Sequence, residues 1–167
     1  TPARQHLDVL GRPVLSLEDN GDGQPYPTRV VVDVEGNLRA LIDARGNTVM
    51  SYKYDLLGNM VYQNSMDAGQ RWLLTDAVGK PLRTWDERGH EFQYAYDILH
   101  RPTHSLVLGG ETGTPRLNHV FDYKVYGESL LLQDRSNEAG VQAKNALGQV
   151  IQHFDTGGLI DTPTFDF

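Results

Sequence analysis

The sequence predicts a mainly β protein, an antiparallel sheet of successive hairpins with one short helix near the C-terminus. Two observations carry this prediction. A five-residue phrase recurs along the chain: Asp, two variable residues, Gly, then Asn, Lys, Arg or His. Between its copies lie runs of roughly five to eight residues, a usual strand length. Recurrence at a regular spacing indicates a repeat architecture.

Each copy of the phrase predicts a tight corner between two strands. Asp favours the first position of a type I turn, and Gly at the fourth position tolerates the positive φ needed to re-enter a strand. The predicted corner residues are Asp8, Gly11, Asp33, Gly36, Asp43, Gly46, Asp55, Gly58, Asp76, Gly79, Asp86 and Gly89. We interpret these aspartates as structural residues.

The runs between corners alternate in polarity. A period of two with aromatic and β-branched residues is typical of half-buried strands. The sets predicted to share a face are Leu38, Ala40 and Ile42; Met50, Tyr52 and Tyr54; and Phe92, Tyr94 and Tyr96. We therefore expect a long antiparallel sheet with one apolar face.

The order of the elements follows from these signals. Residues 1–17 predict a strand pair, and the breaker-rich stretch 18–27 predicts an exposed loop. The repeat array extends over about 28–108, with irregular corners at Asp67 and Asp97, the latter having His100 where Gly is expected. A loop at 109–116 precedes a strand–helix–strand part at 117–167. Its helix is predicted from Ser136 to about Ala146, ended by Gly148.

Composition limits the classes of function. The chain has 167 residues, 39% of them hydrophobic, which suits a single domain over 1–167. A net charge of −7 argues against nucleic acid as a partner. There are no cysteines, and no apolar stretch predicts membrane insertion. Because the sequence lacks an initial Met and ends abruptly, we expect a segment excised from a longer protein.

Two Tyr-Asp doublets make the repeat pattern more specific. Tyr54-Asp55 and Tyr96-Asp97 lie 42 residues apart, and with the Asp-x-x-Gly-Asn corners they resemble the YD repeats of the Rhs family. Further stretches resemble, in order, landmarks of the B and C components of bacterial insecticidal toxin complexes: Leu7 to Pro13, Tyr54 to Asn59, Met66 to Gly69, His100 to His104, Val125 to Glu128, and Phe154 to Gly158.

The resemblance implies an architectural role. In that family, YD repeats form a curved β-shell that encapsulates a cytotoxic C-terminal effector until delivery. It implies a secreted bacterial protein whose partners are the remaining shell and its toxin cargo. The self-cleaving aspartates of the family lie in Asp-Pro-x-Gly motifs, and no aspartate here precedes Pro. No catalytic residue is carried over, and we expect no enzyme.

Other chemistry finds little support in the sequence. Glu18, Asn20, Asp22 and Gly23 resemble the front half of a calcium loop, but the position of the bidentate acid holds Arg29. His100 and His104 have helical spacing with Pro102 between them, which argues against a zinc site. We predict no metal site, no cofactor and no catalytic residue.

The aromatic residues offer an alternative function. They recur on neighbouring predicted strands: Tyr52, Tyr54, Tyr62, Trp72, Trp85, Phe92, Tyr94 and Tyr96. Stacked in cross-strand ladders they would stabilise the sheet. Flanked by polar groups, they also suit a carbohydrate-binding or cell-surface adhesion module, which remains the rival hypothesis. Open sheet edges further predict self-association.

Overall fold

The computed structural model describes residues 3–19, 21, 23–111, 115–133 and 138–166, which form two compact units, Thr1–Glu87 and Arg88–Phe167. The first unit holds β1 (Ala3–Leu7), β2 (Pro13–Asp19), β3 (Pro25–Val32), β4 (Leu38–Ile42), β5 (Thr48–Tyr54), β6 (Met60–Ser65), β7 (Gly69–Thr75) and β8 (Pro81–Asp86). The second holds β9 (His90–Tyr96), β10 (Pro102–Gly109), β11 (Leu117–Tyr126), α1 (Ser129–Gln133), α2 (Glu138–Ala143), β12 (Val150–Asp155) and β13 (Gly158–Asp161).

Within each unit the strands pair antiparallel with their neighbours in chain order. The pairing extends from β1 to β8 in the first unit and from β9 to β13 in the second. Short connections permit this order, because a hairpin joins antiparallel neighbours directly. The mainly β, antiparallel hairpin fold predicted from the sequence is confirmed.

A β-bulge follows six of the corners, a feature that the sequence analysis did not predict. At the first corner Leu7 pairs with Pro13 and His6 pairs with Leu15, so Val14 has no counterpart on β1. The same skip occurs six residues after each corner aspartate, at Val14, Arg39, Val49, Val61, Leu82 and Thr103. Such a bulge places two residues opposite one and increases the local twist of the strand pair.

The register divides the aromatic residues of the first unit between both faces of its sheet. Tyr62 pairs with Trp72, and Trp72 pairs with Trp85, so these three rings share a face. Tyr52 pairs with Gln63, which neighbours Tyr62 on β6 and points to the opposite face. The expectation of one apolar face is therefore wrong for β5–β8.

The buried side chains of the described residues all belong to the second unit. They are Ser105, Val107, Tyr126, Val141, Ala146 and Ile151. Val141, Ala146 and Ile151 form a small core, against which Val125, Leu130, Leu131 and Phe165 pack. None of the described residues before Arg88 is buried, so the first unit is a single layer without a core of its own.

The helical region differs from the prediction. Helix α2 lies within the predicted range, whereas α1 precedes that range and was not expected. Ser136, the predicted cap, lies outside the described residues. Asn145, with φ of 50°, ends α2 in place of Gly148. The Asn145 and Ala146 amides donate to the carbonyls of Gln142 and Val141 at 3.0 and 3.2 Å, which is the Schellman pattern. Asn tolerates the left-handed conformation that this pattern needs.

Neither described helix is long and apolar enough to cross a membrane.

Candidate functional site

The aspartate corners are the most regular polar feature of the structure. At Asp55 the carboxylate Oδ1 accepts hydrogen bonds from the amides of Leu57 and Asn59, both at 2.9 Å. The Asp55 amide donates to the carbonyl of Asn59 at 2.9 Å, and the Gly58 amide donates to the Asp55 carbonyl at 3.2 Å. This is a type I turn followed by a residue with positive φ, here Gly58 at 82°.

The same backbone closure occurs at six aspartates, namely Asp8, Asp33, Asp43, Asp55, Asp76 and Asp97. At each of them the amide of the fifth phrase residue donates to Oδ1, at 2.8 to 2.9 Å. The turn is local, because every one of these bonds spans at most four residues. A short stretch of sequence is therefore sufficient to specify it.

The side chain of the fifth residue completes the corner by binding the second carboxylate oxygen. Asn59 Nδ2 donates to Asp55 Oδ2 at 2.9 Å, and Asn47 Nδ2 donates to Asp43 Oδ2 at 3.0 Å. Arg12 Nε makes the corresponding bond to Asp8 at 2.7 Å. Both oxygens of these carboxylates are occupied by groups of their own corner.

These bonds favour the charged form of the carboxylate. The side-chain and backbone hydrogen bonds from Asn47 hold the pKa of Asp43 below its usual value, and those from Asn59 do the same for Asp55. At Asp8 the backbone amide of Arg12 is the largest cause of the lowered pKa. A general acid needs the opposite shift, so these aspartates suit turn formation and not proton donation.

Three corners depart from the regular pattern: those at Asp67 and Asp97, as expected, and the one at Asp86, which was predicted to be regular. His100 has φ of 62° and occupies the glycine position of the Asp97 corner, where its ring lies 5.2 Å from that of Tyr96. At Asp67, three residues separate β6 from β7, and the amides of Asp67 and Ala68 donate to Ser65 Oγ at 3.3 Å.

The third irregular corner follows Asp86, which is the last residue of β8 and pairs with Arg71. Here the connection before β9 is again three residues long, and Gly89 has φ of 80°. The amide of Gln70 donates to Glu87 Oε2 at 3.0 Å, so the residue after Asp86 contacts the neighbouring strand β7.

The tyrosines of the two doublets lie at strand ends, directly before their corners. Tyr54 is the last residue of β5 and Tyr96 the last of β9. Burial raises the pKa of the Tyr54 phenol. Tyr54 belongs to the first unit and Tyr96 to the second. Each doublet is thus a feature of its own hairpin.

The proposed calcium loop is only partly described. Asn20 and Asp22 lie outside the described residues, while Asp19 Oδ1 accepts a hydrogen bond from the Gly21 amide at 2.8 Å. Among the residues that the structure describes, no group of three or more His, Asp or Glu side chains is placed to hold a metal ion.

The sequence analysis missed a cluster around Arg101 in the second unit. Arg101 Nη2 lies 2.6 Å from Asp97 Oδ2, and its Nη1 lies 3.3 Å from both carboxylate oxygens of Glu128. The guanidinium carbon lies 3.9 Å from the ring centre of Tyr126, a cation–π distance. Tyr126 in turn donates to the carbonyl of Pro102 at 3.0 Å.

Opposing effects act on the acids of this cluster. Burial raises the pKa of both Asp97 and Glu128, but hydrogen bonds outweigh it and leave each pKa below its usual value. The main donors are the backbone and side chain of Arg101 for Asp97; for Glu128 they are its own backbone amide, then the Gly148 amide, then Arg101. Only the Arg at the fifth phrase position signals this cluster in the sequence, because Glu128 is 27 residues away.

A second polar cluster lies on β11 and β12. Asp122 Oδ2 accepts a hydrogen bond from Lys124 Nζ at 2.7 Å. Asp122 Oδ1 lies 2.5 Å from His153 Nε2. Burial raises the pKa of Asp122, and the two basic partners more than compensate, so the net shift is downward. We assign this cluster no chemistry.

Comparison with known proteins agrees with the repeat geometry. The chain is 30% identical over 140 residues to Toxin subunit YenC2 of Yersinia entomophaga. The aligned region covers 78% of this chain and 14% of the relative. It matches the crystal structure of TcdB2-TccC3 without its hypervariable C-terminal region with a TM-score of 0.80 and 23% identity, covering 100% of this chain and 8% of that one.

The likeness to YD-repeat proteins of the toxin-complex type is therefore confirmed. The Photorhabdus luminescens Tc holotoxin pore, with a mutated TccC3, gives a TM-score of 0.79 at 23% identity, again covering 8% of that chain. No family model matches. The chain spans 14% of the length of this curated relative, a small part of a long protein.

Proposed function

We propose that this chain is a non-enzymatic wall segment of a secreted bacterial YD-repeat shell, which encapsulates a cytotoxic C-terminal effector for delivery. Its partners would be the remaining shell of a longer parent protein and the toxin cargo. In this proposal the chain contributes hairpins to the wall, and the rest of the parent protein completes the shell.

The absence of a core in the first unit carries the proposal. None of its described side chains is buried, and Trp72 is 41% exposed on a strand that lies between two others. A single-layer sheet must cover its apolar surface with something else to be stable. A wall that continues into neighbouring sheet and faces a guest would supply that cover.

The state of the carboxylates supports a structural role over a catalytic one. Both oxygens of Asp43 and Asp55 are bound within their own corners, and the pKa of each is lowered. Acid–base catalysis by a carboxylate pair needs two groups with different pKa values facing one substrate. The corners supply instead a repeated, self-contained turn.

The carbohydrate-binding alternative is less well supported by the ring geometry. Tyr62 and Trp72 pack edge to face, with ring centres 5.6 Å apart and planes 61° apart. Lys53 Nζ lies 4.8 Å from the centre of the Tyr62 ring. A sugar stacks on a flat, open ring face, and this arrangement occupies one face of Tyr62 with a cation. A glycan array with wild-type chain and Trp72→Ala tests the alternative directly.

Protease protection of the effector in the longer parent protein tests the proposal itself. We expect the C-terminal segment to resist cleavage in the native protein and to be cut rapidly after denaturation. Gly58→Pro should open the wall and expose the segment, because proline cannot adopt the φ of 82° found there. Leu57→Ala at the exposed neighbouring position is the matched control.

Equal cleavage of the effector segment in native and denatured wild-type protein would refute encapsulation. Saturable glycan binding that Trp72→Ala abolishes would favour the adhesion module. The native wild-type measurement does not depend on the folding of any variant, so the proposal stays testable even where Gly58→Pro fails to fold.

A further inference from the structure

The fifth residue of the corner phrase has a second role where it is arginine. In the first unit Arg12 Nε binds Asp8 of its own corner at 2.7 Å, and Arg12 Nη1 donates to the carbonyl of Asp33 at 3.2 Å. Asp33 begins the corner between β3 and β4. Alternate connections of an antiparallel meander lie at the same edge of the sheet, so Arg12 joins two successive corners of one edge.

Arg101 repeats this arrangement in the second unit. It binds Asp97 of its own corner through Nε and Nη2, at 2.7 and 2.6 Å. Its Nη1 donates to Glu128 at 3.3 Å, beyond the end of β11. The connection between β11 and β12 lies at the same edge as the corner between β9 and β10. Arg101 therefore also reaches the next connection along its edge.

Asparagine at the same position bonds within its own corner. The amides of Asn47 and Asn59 donate to Oδ2 of Asp43 and Asp55, and Asn37 Nδ2 donates to Asp33 and Glu35, both in its own phrase. The side chains explain the difference. Arg carries five donors on a long stem in a planar fork, so one edge can bind the local carboxylate while another nitrogen reaches further.

We propose that the fifth residue of the phrase decides whether a corner is fastened to the next connection along its edge, with Arg12 and Arg101 as inter-hairpin clamps. Asparagine at this position bonds only within its own corner and does not itself reach the next connection. The clamp goes beyond the proposed wall function, since it is a property of how this chain holds its own hairpins together.

The clamp at Arg101 fastens the helical connection. Residues 127–149 join β11 to β12 and carry both α1 and α2. The base of this connection is closed by the Gly127 amide, which donates to the Gln149 carbonyl at 3.0 Å. Glu128 Oε1 accepts from the Gly148 amide at 2.7 Å and binds Arg101 as well. Arg101 thus ties the corner between β9 and β10 to the closed base of the helical connection.

Hydrogen–deuterium exchange on the whole chain tests the clamp, with Arg101→Asn as the central variant. Asparagine can still satisfy Asp97, as Asn59 satisfies Asp55, so the substitution removes the clamp and keeps the corner. We expect about three- to tenfold faster exchange of the amides near Gly127 and Gly148, the range for loss of a partly exposed charged hydrogen bond. The His100 amide within the corner should keep its protection.

Two matched variants complete the design. Arg12→Asn should speed exchange at the corner from Asp33 to Asn37 and leave residues 127–149 unchanged. Asn59→Arg should slow exchange at the next corner of that edge, from Asp76 to Lys80, by a similar factor.

Unchanged exchange near Gly127 and Gly148 in Arg101→Asn would overturn the clamp. So would an equal loss of protection at the His100 amide, because the substitution would then have damaged the corner itself. No gain at Asp76 in Asn59→Arg would overturn the rule that the residue type at this position decides the fastening.

Discussion

Substitution of Gly127 by alanine tests how closely the helical connection is packed on its strand. A Cβ at Gly127 would lie 2.0 Å from the carbonyl oxygen of Ala146 and 2.6 Å from its carbonyl carbon. These are backbone atoms of the segment that ends α2, so no side-chain rotation relieves the contact. Overpacking of this kind costs about 1 to 3 kcal/mol, and the backbone partner places Gly127→Ala at the upper end.

The gain from a less flexible unfolded chain offsets about 0.4 to 1 kcal/mol of that cost. We therefore expect the free energy of unfolding to fall by about 2 kcal/mol. For a unit of 60 to 100 residues each kcal/mol lowers Tm by about 4 to 8 °C, so the second unit should melt roughly 8 to 16 °C lower. Differential scanning calorimetry and urea unfolding measure both quantities.

Gly157→Ala is the control for this experiment. It lies in the same unit, and its nearest neighbour would be Asp155 Oδ1 at 3.2 Å, an atom of a side chain that can move. We expect its unfolding free energy to stay within about 0.5 kcal/mol of wild type. A change equally small in Gly127→Ala would refute the close approach of Gly127 to Ala146.

Three further outcomes follow from the corners and faces. Gly58→Ala should lower the free energy of unfolding by about 1 to 2 kcal/mol in a urea titration, because a Cβ is strained at φ of 82°, and Gly58→Asn should lower it less. Asp97 and Glu128 have lowered pKa values, so their contribution to stability is complete at neutral pH and is lost as the pH falls through their folded-state pKa values. In urea titrations at pH 7 and pH 2, the free energy of unfolding should therefore fall less for Glu128→Gln than for the wild type. Light scattering after size-exclusion chromatography should show concentration-dependent association, and a monomer at all concentrations would contradict open sheet edges.

The sequence was sufficient for the corners because their determinants are local. The bonds to Asp55 come from Leu57 and Asn59, and the positive φ belongs to Gly58, all within five residues. The fold class follows, since hairpins in series pair with their neighbours. The same locality explains why the Asp97 corner forms with His100 in place of Gly: Asp97, His100 and Arg101 still make the closing bonds.

The tertiary structure decided what depends on register and distance. The pairing of β5 with β6 sets Tyr52 opposite Gln63 and Lys53 opposite Tyr62, which places Tyr52 and Tyr62 on opposite faces. The end of α2 at Asn145 depends on packing of Val141 and Ala146 in the core. The contact of Arg101 with Glu128 spans 27 residues.

The sequence by itself thus determined the repeat, its turn chemistry and the antiparallel order of its strands, because each arises from hydrogen bonds between residues close in the chain. Only the tertiary structure decided which face each ring occupies, where the core lies and which corners are fastened to their neighbours. Those properties depend on pairing register and on side chains that meet only after the sheet has formed.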